Sequence, residues 1–227
     1  MWNGTLVRSR FFDAISLLLP AAERFLIETL EEWLSRAGDS VDSRLGAEVE
    51  RFLREERAHQ SVHLRYNDSL IAADPAAQEP ALRASRATDD IRRLDLATRM
   101  ALAAAFEILT SLLSRELLER PYLLGSGESV EARIWRWHAR EELAHCHVVV
   151  QAVRALGVSR GQRLMAYALA TGFLIFDVLR LWRALCRCDI RAGARRARMW
   201  ADGLTFVLRG VPSLLRMSAG WTRQLVR

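Results

Sequence analysis

Residues 51–67 read RFLREERAHQSVHLRYN and residues 135–149 read WRWHAREELAHCHVV. Each stretch carries Glu-x-x-His, once as Glu56 with His59 and once as Glu142 with His145, and the two stretches hold all five histidines of the chain. Residues three apart share a helix face, so each pair presents a carboxylate beside an imidazole. With so few histidines, composition alone would supply fewer than one such spacing, so two of them form a pattern. Both stretches sit in long segments where apolar residues recur every three to four positions, the period of an amphipathic helix.

Working outward, glycine and proline gather at few places: Pro20, residues 74–80, 121–127, 157–161, Gly193 and 210–212. Between them the pattern predicts helices over about 20–37, 42–72, 88–119 and 129–156, with Pro20 suited to the first turn of its helix. Two or three apolar or amphipathic helices are expected after Gly161. The connection over 73–87 is the longest in the first 160 residues. Two helical hairpins joined by a long crossover form an all-α four-helix bundle, here residues 1–158, with additional C-terminal helices over 159–227 packed on it or on a membrane surface.

Such a bundle needs one inward carboxylate from each helix that lacks Glu-x-x-His. In the first helix Glu23 lies on the stripe of Leu26, Ile27, Leu30 and Leu34. In the third, Glu107 shares a face with Met100, Ala103, Ala104, Thr110 and Ser111, and no other acid lies between Asp95 and Glu116. Four carboxylates in a dry core would be prohibitively costly without counter-charge. Two divalent ions balance them and two imidazoles complete the coordination, which is the di-iron or di-manganese carboxylate arrangement. The expected metal ligands are Glu23, Glu56, His59, Glu107, Glu142 and His145.

His63 lies one turn after His59, and His138 one turn before Glu142. If the second and fourth helices run antiparallel, both point to the same end of the site. They are expected there as added ligands or proton-transfer groups facing substrate, the alternative being hydrogen-bond partners of the ligands. Tyr66 and Asn67 follow at the same end, whereas His147 is one position off this face. The small residues around Glu107 (Ala103, Ala104, Thr110, Ser111, Ser114) leave room for a bound molecule or serve close helix packing. Of the Trp135 and Trp137 pair, one is expected inside and one at the surface. Cys186-x-Cys188 is a weak metal motif, lacking a second pair and the common spacing, and neither it nor Cys146 is given a role.

Composition narrows the classes. All 33 basic residues are arginine, which excludes lysine Schiff-base chemistry and a phosphate-loop lysine. Three cysteines are too few for a disulfide framework and suit a reducing, cytoplasmic setting. The net charge of +6 is uneven. Residues 1–159 hold 20 Arg and 24 acids, and residues 160–227 hold 13 Arg and 3 acids. That basic tail predicts peripheral contact with the inner membrane surface or another anionic partner, the alternative being a solvated arginine face. Nucleic acid is disfavoured for want of a recognised motif. The apolar run over 14–22 is interrupted too early for an export signal, and the run over 164–176 is too short to span a bilayer unaided.

The ordered set Pro20-Ala-Ala-Glu23-Arg-Phe, Arg54-Glu-Glu56-Arg-Ala-His59 with His63 and Tyr66-Asn67, Phe106-Glu107, and Trp135-x-Trp137-His138 with Glu141-Glu142-x-x-His145 resembles the bacterial "predicted metal-dependent hydrolase" family. The resemblance covers roughly residues 11–155. It implies a ferritin-like bundle with metal at the six ligands named above, and with His63 and His138 belonging to the pattern. Cys146 stands where the family usually has Lys.

Three functions follow as expectations. The first is a di-iron oxidoreductase that activates dioxygen to oxidise a small or lipid-like apolar substrate, fed by an electron donor, because hard carboxylates stabilise oxidised iron. The second is a hydrolase in which the metals, manganese or zinc included, activate water. The third is a non-catalytic metal-binding protein. A homodimer is compatible with each.

Overall fold

The computed structural model describes residues 1–125 and 128–226, except for the side chains of Asp39, His145, Cys146 and residues 224–226. Seven α-helices occur among the described residues, with no strand. They are α1 Leu6–Ala37, α2 Ser43–Ala73, α3 Gln78–Ala84, α4 Leu96–Glu119, α5 Val130–Ala155, α6 Arg160–Arg191 and α7 Arg196–Val226.

Short polar residues start most of the helices by accepting from the first free backbone N–H groups. Thr5 caps α1, Asp42 caps α2, Asp95 caps α4 and Ser129 caps α5. Ser159 and Gln162 form a reciprocal capping box at α6. Gly38 takes φ +51° as α1 ends, a conformation a side chain would strain.

The first helix differs from expectation. It begins at Leu6, so Pro20 lies inside it and not at its first turn. An interior proline has no N–H to give the carbonyl four residues back, which here belongs to Ser16. Asn67 Nδ2 of α2 donates to that carbonyl at 2.9 Å, so the lost bond is replaced across helices. Gln60 Nε2 donates to the Pro20 carbonyl at 3.0 Å. The third long helix also differs: it starts at Leu96 and not near residue 88, because Asp95 captures the N–H of Thr98 while Thr88 turns aside to donate to the Ala21 carbonyl.

Helices α1, α2, α4 and α5 surround one interior. Partners run in opposite order along α1 and α2 (Ser16 with Asn67, Pro20 with Gln60), along α1 and α4 (Phe25 with Phe106, Glu32 with Arg99), and along α2 and α5. Neighbours are therefore antiparallel, and the segment over 74–95, with α3 inside it, carries the chain back along the bundle between α2 and α4. Two apolar clusters fill the core. One holds Phe25, Leu30, Phe52, Met100 and Val149, and the other holds Phe12, Leu17, Leu117 and Trp135. A layer of buried polar residues separates them: Glu23, Glu56, His59, His63, Glu107, His138 and Glu142.

The C-terminal helices complete both clusters. Tyr167 and Ala170 of α6 join the first, and Leu181 and Leu185 join the second. A buried ionic knot fixes α6 to α1: Arg10 holds Asp189 with two bonds of 2.9 and 2.7 Å and reaches Asp13 and Asp74. Tyr66 donates to Asp13 at 2.6 Å, which extends the knot into α2. Helix α7 is tied to α4 by Arg216, which grips Glu116 at 2.9 and 2.6 Å. By length and composition, α4 and α6 are both long and apolar enough to cross a membrane. For α6 this exceeds the sequence expectation, since one continuous helix carries the apolar stretch past Asp177.

Candidate metal centre

Four helices deliver the polar layer. Glu23 comes from α1; Glu56, His59 and His63 from α2; Glu107 from α4; His138 and Glu142 from α5. All seven are at most 4% exposed. His145 lies on α5 in the expected phase, but its side chain is outside the described residues.

His59 is central. Its Nδ1 lies 3.3 Å from Glu56 Oε1 and 3.9 Å from Glu142 Oε1, while Nε2 meets Glu141 Oε2 at 2.9 Å. Trp137 Nε1 donates to the other Glu141 oxygen at 2.8 Å. His138 Nε2 stands 3.2 Å from Glu142 Oε1, and Thr110 Oγ1 donates to Glu142 Oε2 at 2.8 Å. Two groups of potential donor atoms result, each with all its atoms within 4.8 Å of one another: Glu23, His59 and His138, and Glu56, His59 and Glu142. Neither includes Glu107 or His63, although both side chains are buried in the same layer.

The His63 and His138 rings meet at 4.9 Å between centroids, and His138 and His59 at 4.4 Å, so the antiparallel pairing of α2 and α5 gathers the three imidazoles. The tautomer of His63 follows from its neighbours. Ser16 has one hydroxyl proton and gives it to Asn67 Oδ1 at 2.8 Å. Toward His63 Nδ1, 2.9 Å away, Ser16 can only accept, which puts the imidazole proton on Nδ1. The lone pair then lies on Nε2, which is buried and has no partner among the described residues. Tyr66 is a further neighbour of His63, at 6.3 Å between rings.

Burial and mutual repulsion govern the charges. Burial, with the fields of Glu56 and Glu142, holds the Glu23 carboxyl well above the usual carboxylate range. Burial likewise pushes Glu56 up to about 7, against the opposing hydrogen bond of His59. Burial acts to lower His59, but Glu56, Glu142 and Glu141 outweigh it and the net shift is upward. His63 is held well below the ordinary histidine value by burial and by the His138 and His59 rings. Burial also lowers His138, in spite of Glu142.

This is an interior that fits a cation. Both Glu23 oxygens are buried with no hydrogen-bond partner among the described residues, and such groups are costly unless protonated or met by positive charge. The family described as "Predicted metal-dependent hydrolase" matches residues 1–226. The chain belongs to that family. Its match extends through α6 and α7, beyond the segment over which the sequence motifs themselves carry the resemblance. Neither a curated protein nor a solved structure matches the chain.

Sequence reading missed three supports. Glu141 and Thr110 hold donor side chains in place, and Ser16 sets the His63 tautomer; an i, i+4 spacing to Trp137 was the only local sign of the first. Trp135 is buried and Trp137 half-buried. His147 is exposed, and Cys186 and Cys188 are free and half-buried. Burial pushes the Cys186 thiol up to about 12, which makes it a poor nucleophile at neutral pH.

Proposed function

We propose that this chain is a divalent-metal-dependent hydrolase whose site is the buried carboxylate–imidazole layer of α1, α2, α4 and α5. The observation that carries the reading is the pair of donor groups that share His59, one of them containing the Glu23 carboxylate, whose oxygens have no hydrogen-bond partner among the described residues. The family description supports hydrolysis. Glu23, Glu56, His59, Glu142 and His138 would hold metal, with Glu107 and His145 completing the set from their own helices.

Bound divalent ions lower the pKa of water and polarise the oxygen of an ester, amide or phosphate. The chain's own residues do the rest. Glu141, braced by Trp137, holds the His59 ring so that Nδ1 faces Glu56 and Glu142. Thr110 pins one oxygen of Glu142 and leaves the other toward His138. His63, neutral and with its lone pair on Nε2, is placed to accept a hydrogen bond at the end of the layer. The flanking Phe25 and Trp135 clusters keep bulk water out.

The test is metal analysis of the purified chain, followed by turnover of ester, amide and phosphate substrates with zinc or manganese under argon. Metal-dependent turnover without oxygen is the expected result; a chain that retains metal and needs oxygen and reductant for any turnover overturns it. The second reading is dioxygen activation at iron, with an electron donor and a small or lipid-like apolar substrate. One Glu from α1, one from α4 and Glu-x-x-His from α2 and α5 favour it. Oxygen uptake by the reduced, iron-loaded chain is its readout.

Peripheral membrane contact belongs to the same reading. Leu169, Phe173 and Phe176 of α6 and Leu204, Leu208 and Leu215 of α7 are exposed on the arginine-rich segment. Flotation with anionic vesicles, lost in the presence of high salt, is the expected outcome.

A further inference from the structure

Helix α4 has a second face. Its stripe of Ala101, Ala104, Ala105 and Ile108 floors an open cavity of about 410 Å³ walled by α5, α6 and α7. Glu107 projects about 100° away from Ile108 around the helix and does not line it. The cavity is therefore distinct from the polar layer, and it takes in only part of the small-residue segment: Ala104 and Ser111 line it, while Ala103 and Ser114 are buried in packing.

Its lining is two-sided. Val150, Val153 and Leu164 continue the apolar floor, whereas Arg115, Arg154, Arg160, Arg163 and Arg223 converge on it with no carboxylate among the described lining residues. Arg115, Arg154, Arg163 and Arg223 make no ion pair among the described residues, in a chain where many other arginines are matched. Tyr167 adds an independent sign. It is 3% exposed, stacks on Trp221 at 5.3 Å, lines the cavity, and its hydroxyl has no hydrogen-bond partner among the described residues. A buried hydroxyl without a partner is unfavourable unless something polar meets it.

The geometry points to a binding site for an amphipathic anion, with an aliphatic body on the alanine floor and a carboxylate or phosphate head among the arginines. The volume suits a small organic ligand. The site goes beyond the metal reading and stands or falls without it.

The test uses the full-length chain and calorimetric titration with dodecanoate and dodecyl phosphate below their micelle concentrations, beside dodecanol, inorganic phosphate and anionic vesicles. One saturable site for the two amphipathic anions is expected, and whichever binds more tightly identifies the head group. The double variant R163Q/R223Q is expected to bind about tenfold or more weakly. Tyr167→Phe is expected to weaken binding about fivefold while its melting temperature stays level or rises, because the hydroxyl has no protein partner to lose. Ala105→Phe, which fills the floor, abolishes binding, with the melting curve reporting its fold. Equal affinity for dodecanol overturns the role of the arginines. Equal affinity for inorganic phosphate overturns the role of the floor. Binding only to vesicles, or unchanged affinity in both R163Q/R223Q and Y167F, overturns the site.

Discussion

The two faces of α4 hold opposite charge under opposite conditions. Toward α1, α2 and α5 it offers Glu107 to a dry layer that also holds Glu23, Glu56 and Glu142. Toward α6 and α7 it offers alanines beneath arginines that are exposed, apart from the half-buried Arg163. The difference shows how burial decides what charge costs. An exposed arginine keeps its hydration and can wait for a ligand, whereas a buried carboxylate must be neutralised at once by a proton or a cation. A single helix can serve both because its side chains diverge about 100° per residue.

The sharpest way to break that contrast is to remove a buried donor. Glu56→Ala and His59→Ala are each expected to lower metal affinity by about a hundredfold or more, exceeding the effect of removing a supporting side chain; elemental analysis after dialysis reads this, and full metal content in both would end the reading of the layer. Next in size is Arg10→Ala, which strands Asp189 and Asp13 in the interior. It should cost about 3–5 kcal/mol in urea denaturation, and a loss near zero would mean that the knot joining α1 to α6 is dispensable.

The pH response of the metal-free chain sharpens the same point. Glu23 and Glu56 have native pKa values raised by burial, Glu56 from 4.5 to about 7. The folded state therefore binds protons more tightly than the unfolded state. The Glu56 contribution to stability is complete below about pH 4.5 and is lost as pH rises through about 7, and that of Glu23 has the same sign. His63 and His138, held low, act in the opposite sense as pH falls, so the carboxyls are read by difference. From pH 5 to pH 8 a chelator-treated sample should lose several degrees of melting temperature relative to an E23Q/E56Q variant, with the difference reduced on adding divalent metal. Equal pH responses in the two chains would count against the raised carboxyls.

Smaller effects test the supports. Thr110→Val is expected to weaken metal binding by about tenfold, since it releases one oxygen of Glu142. On the outer face, Arg115→Gln should change stability by no more than about 0.5 kcal/mol, because Arg115 is exposed and makes no ion pair among the described residues.

Much of the inner face was legible in the sequence. The Glu-x-x-His spacings required helices, which for Glu56 and His59 bring the pair together, and Glu23 and Glu107 stood out as charges on apolar stripes. Antiparallel α2 and α5 then followed from hairpin order, and with them the meeting of His63 with His138. The start of α1 was not legible, because proline carries a local signal for a first turn while the donor that lets it sit mid-helix, Asn67, is remote in sequence. Arg10 and Asp189 are 179 positions apart, and no periodicity links them. The arginine-rimmed cavity was hidden for a related reason: alanines on α4 become a floor only once α6 and α7 have docked.

Pro20 makes one further demand on the molecule. The Ser16 carbonyl it deprives of a donor is a notch cut into α1, and Asn67 is the tooth that fits it. Were α1 to slide one turn along α2, about 5.4 Å, that oxygen would be buried with nothing to accept from. The imino acid thus acts as a ruler: it fixes how far Glu23 stands from Glu56 and His59 along the two helices.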